Sequence, residues 1–181
     1  METNRVKLCE DIINTCLKMD TSGINQGTSG NLSVRYKNGF LITPSSMPYD
    51  EMRPEDIVEM NMDGEYVGKQ PSSEWRFHRD ILMNRKDINV VLHCHPINAT
   101  AIACHNKDIP AFHYIVGLAG GKNIRCAKYA TFGTQELSDN ALIALENRMA
   151  CLLGHHGMIC LGKTFKDAFF LGCEVESMSK I

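Results

Sequence analysis

The chain has 181 residues, 44% of them hydrophobic, and its 19 Lys and Arg stand against 21 Asp and Glu for a net charge of −2 at pH 7. That is enough apolar sequence for one sizeable core; no basic block of the kind that tracks nucleic acid is present, and no apolar run approaches the ~18 residues a membrane span needs. The opening METNRVKLCEDIINTC mixes charges with apolar residues and has no signal-peptide core, so a soluble, cytoplasmic protein is expected.

Residues about 4 to 19 carry apolar groups at Val6, Leu8, Ile12, Ile13, Cys16 and Leu17, the spacing of a helix. TSGINQGTSGN follows as a loop rich in glycine and hydroxyls. Short strands are predicted around Leu32 to Tyr36 and Phe40 to Thr43, joined at the hairpin signal KNG. A loop with Pro44 and Pro48 leads to a second hairpin turning at Asp63-Gly64. PSSEWRFHRDILMNR places hydroxyls at a capping position ahead of helical spacing. The apolar run VVLHCHP reads as a buried strand reaching His95. Next come a helix from about Ile97 to His105, a glycine-rich segment around Gly117 to Gly121, and a helix from about Thr134 to Asn147. ACLLGHHGMICLG reads as strand, turn, strand, and a helix starts near Thr164. No Pro/Gly/Ser linker divides the chain, so one domain over residues 1–181 is expected. Hairpins among helices predict an α/β fold with a largely antiparallel or mixed sheet covered by helices.

The eight cysteines include no C-x-x-C pair, which reads as free buried thiols rather than disulfides or a structural zinc site. Strand alternation puts Cys94 on the face opposite His93 and His95, where it packs rather than ligates. The two histidines themselves share a face, close enough to reach one ion. A second apolar strand is interrupted by His155 and His156, and polar residues that break two buried strands need a physical reason. Three imidazoles and an open position around zinc would supply one. Only one of the adjacent pair should face the ion, and the pattern does not choose between them. His78, four residues after Glu74 on a predicted helix, reads as a surface pair or helix contact. GTSGN and PSS concentrate amides and hydroxyls suited to an anion, whereas neither GINQGTSG nor GLAGGKN has P-loop spacing.

Taken together, GTSGNLSVR, LITP, PSSEWRFH, VVLHCHP, IPAFHYIVGLAGG, YATFGTQEL and LLGHHGMI resemble, in order and spacing, the zinc-dependent class II aldolases that act on fuculose 1-phosphate. The resemblance covers about Gly27 to Glu176. It implies a three-layer α/β/α fold around a mostly antiparallel sheet, assembled as a homotetramer with sites between subunits. It also implies cleavage of a ketose 1-phosphate into dihydroxyacetone phosphate and an aldehyde such as lactaldehyde. By similarity His93, His95 and His156 would hold Zn2+, and Glu74 would ligate it in the empty site, then act as the base that shuttles the C3 proton. Tyr114 would reach into a neighbouring subunit's site and handle the proton on the aldehyde oxygen, a task suited to a phenol with a resting pKa of about 10. Phosphate would lie among Thr28, Gly30, Asn31, Ser72 and Ser73 and the loop after LITP, with Phe132 as an apolar wall on the aldehyde side.

Two departures stand out. Relatives of this type commonly carry Thr-Gly where this chain has Ser45 and Ser46, and they usually continue with a C-terminal tail beyond GCEVESMSK, which leads to the expectation of a more open site and looser discrimination among aldehydes. Alternatives of the same fold are pentulose-5-phosphate 4-epimerases, which typically place Asp where this chain has Glu74, and methylthioribulose-1-phosphate dehydratases. Non-enzymatic modules resembling the adducin head lose the metal ligands, which are present here. The expected substrate is a fuculose, rhamnulose-like or 5-deoxypentulose 1-phosphate.

Overall fold

The N-terminal amphipathic segment forms a long helix, α1 (Glu2–Thr21), in a computed structural model that describes residues 2–181. Two hairpins follow: β1 (Asn31–Tyr36) with β2 (Gly39–Ile42), and β3 (Val58–Asn61) with β4 (Tyr66–Val67). Then come α2 (Trp75–Asn84), β5 (Val90–Cys94), α3 (Ile97–Ala103) and a 3-10 helix at Tyr114–Ala119. The chain closes through β6 (Arg125–Ala127), α4 (Gln135–Ala144), β7 (Ala150–Leu153), β8 (Gly157–Gly162) and α5 (Phe165–Lys180). Thr164 and Asp167 cap α5 reciprocally, side chain to backbone, at 3.2 and 3.0 Å.

The eight strands make one sheet in the order β4-β3-β2-β1-β5-β8-β7-β6. Every pairing is antiparallel except β6 with β7. Strand alternation divides the core in two. On one face Leu32, Val34, Leu92, Leu152 and Cys160 meet Cys9, Ile12 and Cys16 of α1 together with Ala168 and Val175 of α5. On the other, Phe40, Ile42, Val91, Leu153 and Ile159 meet Phe77 and Ile81 of α2 and Leu137 and Ala141 of α4. Cys94 is fully buried on the first face, opposite His93 as the alternation predicts. The result is the expected three-layer α/β/α arrangement around a mostly antiparallel sheet.

Three local expectations need correction. The strand β6 was not anticipated: three residues are too few to carry a periodic signal, and it exists because β7 offers a parallel partner. The hydroxyls of PSS do not occupy the cap of α2; Glu74 does, and the Ser72 hydroxyl accepts a hydrogen bond from the Glu74 N–H at 3.3 Å. His78 is not on the surface at all but fully buried between α2 and β1. Among the described residues no helix is long and apolar enough to cross a membrane.

Candidate active site

β5 lies in the middle of the sheet, and its C-terminal end brings His93 and His95 to one mouth of it. Across the β7–β8 turn, His156 N–H donates to the Leu153 carbonyl at 3.0 Å while His155 takes a left-handed φ of 55°. That tight turn decides what the pattern left open. It swings His156 toward the β5 histidines and sends the His155 ring outward, where its Nε2 meets the Asn106 side chain at 2.8 Å. Gly157 permits the approach, since a Cβ there would lie 2.6 Å from both the Cys94 carbonyl and the His95 ring.

The three rings of His93, His95 and His156 converge with centroids 4.7–4.8 Å apart, and their ligand atoms all lie within 4.8 Å of one another. His93 Nδ1–H donates to the Met158 carbonyl at 2.9 Å, so in the neutral ring Nε2 carries a bare lone pair. That nitrogen sits 2.8 Å from His95 Nε2 and 3.0 Å from Glu74 Oε2. Glu74 Oε1, 3.4 Å from His156 Nε2, is buried and has no hydrogen-bond partner. So many acceptors facing one point, with an orphaned carboxylate oxygen among them, fit a cation that all of them bind. The imidazole-rich donor set suits a divalent transition metal.

Electrostatics agree. Burial alone would raise the Glu74 carboxyl, but the adjoining imidazoles of His93 and His156 and the Asn31 amide outweigh it and hold the carboxyl at about 2. Burial, reinforced by the neighbouring imidazoles, lowers His95 to about 3 and His156 to about 4. At neutral pH these rings are therefore lone-pair donors beside an ionised carboxylate.

From this end a cavity of about 340 Å³ opens outward. Thr28, Gly30, Asn31, Ser45, Ser46, Ser72 and Ser73 line it together with Glu74, His95, His156 and Phe132. Three loops supply the hydroxyls. The first is braced by Asn25, whose side chain donates to Gly27 O and Tyr49 OH and accepts from Ser29 Oγ and from the His95 N–H. Gly30 lets this loop lie against β5, because a Cβ would be 2.8 Å from the His93 carbonyl. The second loop is fastened where Ser45 N–H donates to Gln70 O, and Ser46 adopts φ 56°. The left-handed backbone explains why glycine would suit position 46. Asn31 uses its carbonyl on His78 Nε2 at 2.6 Å and one amide hydrogen on Glu74 Oε2 at 3.1 Å. Its second amide hydrogen remains for a ligand.

Tyr114 is not brought to this cavity within the chain. It lies on the 3-10 segment, 86% exposed, near the exposed side chains of Phe112 and Leu118. Conversely, Tyr129 lines the cavity without a sequence signal of its own, and His155, the member of the adjacent pair that the turn directs away from the cluster, lines it too. Their rings meet edge to face at 5.8 Å. A tyrosine in an irregular segment leaves no periodic signal.

A sequence profile of the class II aldolase and adducin N-terminal domain matches residues 10–181. A 5-methylthioribulose-1-phosphate/5-deoxyribulose-1-phosphate aldolase of Rhodospirillum rubrum is 50% identical over 181 residues, 99% of this chain and 82% of that relative. The L-fuculose phosphate aldolase of Escherichia coli (strain K12) is 48% identical over 182 residues, spanning all of this chain and 84% of that one. Among solved structures, an L-fuculose 1-phosphate aldolase superposes with a TM-score of 0.93 at 38% identity, over 96% of this chain and 84% of its own. With this fold, this histidine cluster and these relatives, the chain belongs to the class II aldolase and adducin N-terminal domain family and is a lyase of the class II aldolase kind.

Proposed function

We propose that the protein cleaves a ketose 1-phosphate reversibly to dihydroxyacetone phosphate and a short aldehyde, with zinc held by His93, His95 and His156 and, before substrate arrives, Glu74. The observation that carries this reading is the cavity that joins an ionised, buried carboxylate beside the imidazoles of His93, His95 and His156 to a rim of hydroxyls from three loops. Zinc in that position supplies a Lewis acid that draws charge from the substrate carbonyl and its neighbouring hydroxyl.

The chain's own groups account for the rest. Thr28, Ser45, Ser72 and Ser73 donate hydroxyl hydrogen bonds to the phosphate, the Gly30 backbone lets it come close, and Ser46 lines the same rim. In cleavage the C4 hydroxyl loses its proton, the C3–C4 bond breaks, and Glu74 delivers a proton to the electron pair left on C3. In condensation Glu74 withdraws that proton. Phe132 presents an apolar wall to the methyl end of the aldehyde. Tyr114 exchanges the aldehyde-oxygen proton in the site of a neighbouring subunit; its exposure beside Phe112 and Leu118 supports burial between subunits of a homotetramer. The relatives named for L-fuculose phosphate and for 5-deoxyribulose 1-phosphate set the two substrates to compare.

Metal content of the purified protein, followed by dihydroxyacetone phosphate release from both substrates with and without chelator, tests the reading. Zinc near one per chain and chelator-sensitive cleavage are expected. Zinc without cleavage would turn the assignment to epimerase or dehydratase chemistry. Light scattering after size exclusion should give a tetramer, and an active monomer would contradict the role given to Tyr114.

A further inference from the structure

Behind the carboxylate runs a chain of buried polar groups that begins at Asn31 on the cavity wall and leads away from it. Ser33 on β1, His78 on α2 and Asn31 on β1 are all buried, Ser33 and His78 completely. Ser33 Oγ lies 2.7 Å from His78 Nδ1, His78 Nε2 lies 2.6 Å from Asn31 Oδ1, and Asn31 Nδ2 donates to Glu74 Oε2 at 3.1 Å.

Donor and acceptor rules leave this chain one direction. A carboxylate only accepts, so the Asn31 NH2 must face Glu74 and its carbonyl must face His78. His78 Nε2 must then carry the proton, and Nδ1 of the neutral ring accepts from the Ser33 hydroxyl. The opposite tautomer would turn the amide over and put two oxygens face to face. Oε2 is thereby tethered by the Asn31 amide, while Oε1 is left without any hydrogen bond at 3.4 Å from His156. Phe77 stacks on the His78 ring at 4.6 Å and holds its plane.

We propose that Ser33, His78 and Asn31 form a positioning relay that anchors Oε2 of Glu74 and so reserves Oε1 as the oxygen that moves the C3 proton. His78 is a positioning residue: it touches neither substrate nor metal and acts through Asn31. The inference rests on the assignment of Glu74 as the base, and the test separates the two.

The variants are His78→Gln, whose amide NH2 reaches the Nε2 position, and His78→Asn, whose shorter amide reaches only the Nδ1 position. Cleavage kinetics of the zinc-loaded enzyme on L-fuculose 1-phosphate, or on 5-deoxyribulose 1-phosphate if that is the faster substrate, should show H78N with kcat lowered about tenfold or more. KM should stay within about threefold, and H78Q should recover most of the rate. Independently of activity, 15N spectra of the metal-free wild type should place the His78 proton on Nε2, and Ser33→Ala should weaken that preference. A proton on Nδ1 would overturn the relay. Equal kcat in H78N and H78Q would overturn it too, as would an effect confined to KM, which is what a misplaced phosphate contact produces. Should H78N fail to fold, the tautomer spectra of the wild type and of Ser33→Ala still decide. Glu74→Gln serves as the separate control: if it retains activity, the base assignment fails, whereas an inactive Glu74→Gln beside a fully active H78N sinks the relay alone.

Discussion

The two ends of the cavity are built by opposite means. The imidazole end stands on regular structure: His93 on a central strand, His156 beside the start of β8, and Glu74 at the cap of α2, with His93 fully buried. The hydroxyl end is made of three loops around Thr28, Ser45 and Ser72; Thr28, Ser46 and Ser73 are exposed while Ser72 is buried. Metal ligation and proton transfer tolerate little displacement, and a strand and a packed helix hold atoms better than loops do. Phosphate carries several oxygens around one centre and accepts many hydrogen-bond directions, so amides and hydroxyls on turns suffice. The two ends should consequently fail in different ways.

The largest effect falls at the buried end. His93→Ala should abolish zinc retention and lower kcat/KM about a thousandfold or more, measured by metal content together with dihydroxyacetone phosphate release. Glu74→Gln keeps the shape and removes the carboxylate proposed as the base, so kcat should fall about 10²- to 10⁴-fold in a variant that still unfolds at the wild-type temperature. At the loop end, Thr28→Ala and Ser72→Ala should each raise KM about tenfold with kcat nearly unchanged. A drop in kcat instead would erase the contrast between the ends.

A subtler effect concerns pH. Burial, aided by the His93 imidazole, pushes His78 down to about 3 from an ordinary 6.5. Between those values the unfolded chain binds a proton that the folded one does not. The stability is full above pH 6.5 and declines as pH falls toward 3. Denaturation midpoints of the metal-free protein between pH 7.5 and 5 should therefore fall with acid, less steeply in His78→Gln. The smallest change is expected from Ser46→Gly, which relieves the φ of 56° and should stabilise the fold by roughly 0.5–1 kcal/mol, read as a slightly higher unfolding temperature.

Much of this was legible in the residues. Alternation along VVLHCHP placed His93 and His95 together and Cys94 away from them, and both hairpins lay at KNG and Asp63-Gly64. Period and turn chemistry are local, so a single sequence carries them. The resemblance then assembled the hydroxyl loops into one set, and the cavity unites them. Other features left no local trace. His78 sits on an ordinary helical face, and nothing near it in the chain announces that β1, forty-odd positions earlier, offers Ser33 and Asn31 to both its nitrogens. The strand β6 consists of three residues and exists by virtue of β7.

What the sequence alone determined, then, were the elements other than β6, their buried faces and the pair of imidazoles at the end of β5, because spacing along the chain sets which side chains share a face. The tertiary structure decided the choice between His155 and His156, through a left-handed residue in one turn. It likewise decided the direction of the hydrogen bonds leading to Glu74 and the separation of Tyr114 from its own chain's cavity. Each of these depends on hydrogen bonds or distances between segments far apart in sequence, and those come into being only when the sheet closes.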